Sequence, residues 1–210
     1  MPMRPEPAPP HAGPGRAPLI PLWLQAVAWS QALFWGAWWA GYLWLPEGIL
    51  RGQSAAAALP IDHLPAVPRA LAIIGWNLAW MLLFAVAANL LQVRRWPLGF
   101  TAVAAMWALY GLLLGTNSFA VPMPARLRPS PSVLLDRSGF TELSAYLLAA
   151  IATASIGRWR QGGWLSGAVE RLPPSPLRLR HWLLLALAVL LLAAGAVREV
   201  MAWCSDTGGC

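Results

Sequence analysis

Residues Trp182 to Trp203 read WLLLALAVLLLAAGAVREVMAW, a run whose only charges, Arg198 and Glu199, stand near its end. An α-helix rises 1.5 Å per residue, so about 20 apolar residues cross the ~30 Å hydrocarbon core of a bilayer. Four earlier stretches share this character: Leu22 to Leu45, Ala70 to Leu91, Leu98 to about Phe119, and about Phe140 to Gly157. The pattern predicts an all-α, polytopic membrane protein, a bundle of five transmembrane helices. The fourth run is the shortest, and its small residues Ala145, Ala149, Thr153 and Gly157 suggest a helix packed inside the bundle.

Composition points the same way. Hydrophobic residues make up 58% and charged residues 11%, against about 25% charged in a typical soluble domain. So few charged side chains cannot cover a water-facing surface. The net charge of +7 comes from arginine alone, with no lysine. These arginines occupy short gaps between apolar runs rather than one soluble face, which argues against a nucleic-acid partner and for the lipid bilayer. Residues 1–21 hold eight prolines and read as a disordered, cytoplasmic, Pro-rich tail. Residues 22–203 form the transmembrane domain, and 204–210 a short C-terminal tail. Ala55-Ala56-Ala57 resembles a signal-peptide cleavage site, but the Trp-rich run before it is longer than a signal core of about 7–15 residues.

Arginine placement sets the expected orientation. With the N-terminus cytoplasmic, the inner segments hold Arg4, Arg16, Arg94, Arg95, Arg158, Arg160, Arg171, Arg178 and Arg180. The outer segments hold Arg51, Arg69, Arg126, Arg128 and Arg137. This asymmetry places a multi-pass protein in the cell membrane with its N-terminus inside and its C-terminus outside. Trp23, Trp96, Trp159 and Trp182 then fall at inner helix ends, Trp44 and Trp203 at outer ends, as an interfacial belt requires. Trp29, Trp35, Trp38, Trp39 and Trp107 lie deeper and read as packing or lipid-facing rings.

Small residues let membrane helices approach closely. The first run offers two such stripes, Ala32-Gly36-Ala40 and Ala37-Gly41, and the third offers Gly111 and Gly115. Polar groups inside a membrane are costly and need a partner or a purpose. By depth, Asn77 early in the second run, Asn117 late in the third, Glu142 at the start of the fourth and Glu199 near the end of the fifth reach one outer level. They form the candidate polar cluster. Individually, Glu142 complements the positive end of its helix, Arg137 is a better-placed partner for Glu199 than Arg198, and the asparagines serve as interhelical hydrogen bonds.

Catalytic signals are missing from the sequence. His11, His63 and His181 have no metal-ligand spacing, and no phosphate-binding loop or nucleophile elbow occurs. The chain therefore reads as no enzyme, with no cofactor and no metal. Cys204 and Cys210 would both lie outside, where either a small disulfide ring or two separate thiols is possible.

Arg137-Ser138-Gly139-Phe140-Thr141-Glu142-Leu143-Ser144-Ala145, leading into an Ala-rich helix, resembles the signature of the stage II sporulation protein M family, where a helix opens with P-H-G-x-x-E-x-x-A. Asn77, Gly115-Thr116-Asn117 and Ala193-Ala194-Gly195-Ala196-Val197-Arg198-Glu199 match further family positions in order. The chain carries Arg137-Ser138 where the family has Pro-His, and Trp76 where it has a second Asn. The resemblance implies an integral-membrane scaffold that organises partner membrane proteins, as such proteins do in the wall-remodelling complex of spore formers. It also marks Glu142 and Glu199.

The competing expectation is a permease-like subunit for a lipid, solute or drug. That reading asks for a cytoplasmic docking helix, for which Trp164 to Leu172 is the candidate stretch, although Gly167 weakens it and a solvated or membrane-surface loop is the favoured reading there. It also asks for internal repeats, which five spans do not provide. A possible homo-oligomer fits either reading.

Overall fold

The structure, a computed structural model, describes residues 21–52, 64–119, 123–165, 167–173 and 175–207. The Pro-rich tail through residue 20, Ala55-Ala56-Ala57, His11, His63 and Cys210 lie outside the described residues. The chain is mostly helical. Helix α1 spans Leu22–Trp44 and α2 spans Ala66–Trp80, prolonged by a π turn (Met81–Val86) and a 3-10 turn (Ala87–Leu90). Helix α3 spans Leu98–Thr116, the short α4 Pro131–Leu135, α5 Ser138–Thr153 and α6 Leu179–Thr207.

Three of these are long and apolar enough to cross a membrane: Ala66–Leu90, Leu98–Thr116 and Leu179–Ser205. Helix α1 has the length, but Gln25, Ser30, Gln31 and six tryptophans dilute its apolarity. Helix α5, with 16 residues, is about 24 Å long. It begins ahead of the expected Phe140 and stops short of Gly157. Beyond Thr153 the chain turns, and the Arg158 N–H donates to the Leu90 carbonyl, so the final residues leave the helix to pair with a strand. At the other end of the chain, α6 carries on past Trp203 into the predicted tail, as far as Thr207.

Prolines and asparagine set helix limits. Pro68, in the first turn of α2, costs nothing because its missing N–H has no intrahelical acceptor there. Pro97 stands immediately before α3. Helix α3 ends where Asn117 turns left-handed (φ 49°). The Ser118 N–H then reaches back to the Leu113 carbonyl and the Asn117 N–H to that of Leu114, the paired closure that satisfies a helix's last carbonyls.

The all-α expectation needs a correction. Four short strands, β1 (Leu91–Val93), β2 (Trp96–Pro97), β3 (Trp159–Gln161) and β4 (Val169–Arg171), form one sheet in the order β2-β1-β3-β4. Strands β1 and β2 are an antiparallel hairpin through Arg94-Arg95, β1 and β3 are parallel, and β3 and β4 are antiparallel. In its described residues the stretch from Trp164 to Leu172 is a turn and loop followed by β4 rather than a docking helix. Gly167 and Val169 both disfavour a helix there.

The core lies where α1, α3 and α5 meet, around Phe34, Trp38, Phe100, Trp107, Ala145 and Tyr146. Phe34 sets its ring edge-on to Trp38 and Trp107, with centroids 5.4 and 5.3 Å away. Trp38 and Trp107 are thus packing rings, whereas Trp29 and Trp39 are exposed. Helices α1 and α3 touch backbone to backbone. A Cβ at Gly111 would collide with the Phe34 carbonyl, and one at Gly115 with that of Trp38. The Ala37-Gly41 stripe faces this pair, while Gly36 of the other stripe meets open space.

These contacts also give the helix directions. Phe34 and Trp38 match Gly111 and Gly115 in ascending order, so α1 and α3 are parallel. Asn77 bonds Tyr146 and Ala85 bonds Thr153, so α2 and α5 are parallel. Arg69 meets Trp203 while Ile73 packs with Ala196 and Val200, so α2 and α6 are antiparallel. The sheet therefore sits at one end of the bundle and the C-terminal ends of α1, α3 and α6 at the other.

Candidate functional site

The predicted cluster divides into two. Asn77 and Glu142 come together, Glu199 stands exposed one turn beyond Gly195 on α6 where its charge acts on Glu142, and Asn117 belongs elsewhere.

The first group is built from three helices. On α5, Glu142 and Tyr146 are one turn apart and share a face. The Tyr146 hydroxyl donates to Oδ1 of Asn77 on α2 at 3.2 Å, and both residues are buried. The Glu142 carboxyl lies beside Asn77 and against Gly195 of α6, where an added Cβ would stand 3.2 Å from its Cγ and 3.7 Å from its Oε1. An added methyl at Gly195 would require the Glu142 side chain to shift by a few tenths of an ångström. Oε1 is itself buried and, among the described residues, accepts no hydrogen bond.

Around this centre the charges are arranged in sequence. Glu142 repels Glu199, and Glu199 is attracted to Arg69. Arg69 is buried at the head of α2, its guanidinium 3.3 Å from the centroid of the Trp203 ring. Tyr110 of α3 presses on Gly139 and lies within the field of Glu142, Arg137 and Glu199. Arg69 is the cation whose charge acts on the exposed Glu199. Arg198 turns instead to the Leu135 carbonyl at 3.1 Å. Two carboxyls, an amide and phenols in this setting can hold a proton or bind helices to one another. No group of three or more His, Cys, Asp or Glu side chains comes together among the described residues.

Asn117 organises a separate knot over the ends of α1 and α3. Fully buried, it donates to Glu47 Oε1 at 2.6 Å and to the Met123 carbonyl at 2.9 Å, and it accepts from the Met123 N–H. The turn after α1 docks on the same place: the Gly48 N–H donates to Thr116 and the Leu50 N–H to the Ser118 hydroxyl. Arg126 closes the knot, donating to the carbonyls of Gly41, Leu45 and Gly115. A guanidinium at the negative ends of two helix dipoles gives the Leu45 and Gly115 carbonyls a donor and adds one to the Gly41 carbonyl, which already accepts the Leu45 N–H.

A third polar knot lies at the sheet end. Asn89, fully buried, donates to the Ala150 carbonyl (2.7 Å) and Thr153 Oγ1 (2.9 Å) and accepts from the Gly99 N–H (3.0 Å). It joins α2, α3 and α5 where α2 leaves α-helical geometry.

Sequence reasoning passed over Arg69, Arg126, Tyr146 and Asn89. Tyr146 carried a signal, its spacing of four from Glu142. Arg69 and Arg126 were counted only as topology charges, because nothing local distinguishes a buried arginine from a solvated one. His181 accepts the Arg178 N–H at the start of α6, and Cys204 is disulfide-bonded.

No family model matches this chain, and no curated protein or solved structure matches it.

Proposed function

We propose that this protein is an integral-membrane scaffold of five spans that organises other membrane proteins, in the manner implied by its resemblance to the stage II sporulation protein M family. The observation that carries this reading is the Glu142 centre, where side chains of α2 and α5 and a glycine of α6 close directly on one another. Such a centre fixes helix geometry and so presents a constant surface to partners.

Five crossings agree with the helix directions, in which α1, α3 and α6 run one way and α2 and α5 the other. With the N-terminus cytoplasmic, the sheet end faces the cytoplasm and Cys204 the outside, where a disulfide persists. A periplasmic-type reporter fused after Cys210 is expected to be active. Activity from a cytoplasmic reporter alone would reverse the orientation.

The decisive test is affinity purification of the full chain in mild detergent with identification of its partners, alongside Glu142→Ala and Glu199→Ala. Wild-type protein is expected to retain other membrane proteins or a second copy of itself, and the variants to lose thermal stability or partner recovery. Stoichiometric recovery of an ATPase would favour the permease reading. Variants equal to wild type in both measures would remove the Glu142 centre from the function.

A further inference from the structure

We infer that the sheet end is a docking surface for the anionic phospholipid headgroups of the leaflet beside it. Its position comes first. Strand β1 begins at Leu91, immediately after the apolar helix Ala66–Leu90, and β2 ends at Pro97, immediately before the apolar helix Leu98–Thr116. The sheet is therefore held where two membrane-length helices leave the hydrocarbon, at headgroup depth.

Its charge comes second. The segments at this end contribute Arg94, Arg95, Arg158, Arg160, Arg171, Arg178 and Arg180 against a single acid, Glu170. Glu170 faces Arg160 across the β3–β4 ladder, 3.8 Å apart. The other six arginines are exposed. Guanidinium groups bind phosphate oxygens two at a time, a geometry lysine lacks.

Apolar surface accompanies the charge. Strand register places Leu91, Trp159 and Arg171 side by side on one face, all exposed, with the Arg171 guanidinium 5.8 Å from the Trp159 ring centroid. The turn between β3 and β4 presents Trp164 and a completely exposed Leu165. A soluble acidic partner leaves that Trp-Leu tip unexplained. A leaflet accounts for both: tryptophan and leucine sit among the upper acyl chains while arginines meet phosphates.

The test uses the full chain purified in neutral detergent and titrated with phosphatidylglycerol, phosphatidylcholine or inorganic phosphate. Bound lipid is read by native mass spectrometry, and Tm in parallel. Phosphatidylglycerol is expected to bind more tightly than phosphatidylcholine and to raise Tm. Arg158→Gln and Arg171→Gln are each expected to weaken phosphatidylglycerol roughly five-fold while leaving phosphatidylcholine unchanged. Leu165→Ser should weaken both lipids. Equal binding of the two lipids, or arginine variants indistinguishable from wild type, overturns the inference. An equal Tm rise with inorganic phosphate alone overturns the leaflet assignment in favour of a soluble phosphate.

Discussion

The two ends of the bundle use the same residue in opposite ways. At the end that closes α1 and α3, Arg126 is drawn onto the carbonyls of Gly41, Leu45 and Gly115, and Arg51 donates to the Asn117 carbonyl at 3.4 Å. Arg69 is buried against Trp203. At the sheet end six arginines stand exposed around short strands. Charge counting treats the two sets alike. The structure separates them, because arginines that cap helix ends hold the fold, whereas arginines left facing outward are free to meet something else.

The largest effect expected from this contrast is at Arg126. Arg126→Ala removes its bonds to the carbonyls of Gly41, Leu45 and Gly115; Gly41 keeps the Leu45 N–H, and the other two lose their donor at a cost of about 1–3 kcal/mol each where they stay out of water. A fall in Tm of roughly 10 °C or more in detergent is expected. A shift of a degree or two would mean that water replaces the guanidinium and that the two ends do not differ in kind.

Next comes the seam below that cap. Gly115→Ala drives a methyl into the Trp38 carbonyl and is expected to cost about 1–3 kcal/mol, because backbone cannot move aside as a side chain can. Gly36→Ala, in open space on the same helix pair, is the control and should leave Tm unchanged. Equal losses at the two glycines would break the assignment of the α1–α3 seam.

The smallest effect is expected at the sheet end. Arg158→Gln and Arg171→Gln should each change stability by no more than about 0.5 kcal/mol in neutral detergent, as exposed substitutions do. A loss approaching that of Arg126→Ala would show that the sheet arginines also hold the fold.

Much of the architecture was legible along the chain. Apolar length marked the helices to within a few residues, and the Gly111-Gly115 spacing marked a close-approach face, because each signal is local. Depth counting set Asn77, Glu142, Glu199 and Asn117 at one level, since a helix's rise per residue is fixed. It did not foresee that Asn117 bonds Glu47 and Met123 over the ends of α1 and α3, apart from the Glu142 centre. Depth is one coordinate, and which helices are neighbours is another.

The sheet was illegible because its strands are two or three residues long, too short for any period to register. Parallel pairing of β1 with β3 joins segments separated by the whole of α3 and α5.

The amino-acid sequence by itself determined that the chain is mostly helical with helices apolar enough to cross a membrane, and roughly where those helices lie. Each of these follows from apolar length and from residue types acting within a turn or two. Only the tertiary structure decided that Glu142 closes on Gly195, that Asn117 stands apart, and that Arg126 caps helices through a contact 85 residues away in the chain. Those outcomes depend on which helix faces pack together, and packing is a property of all the helices at once.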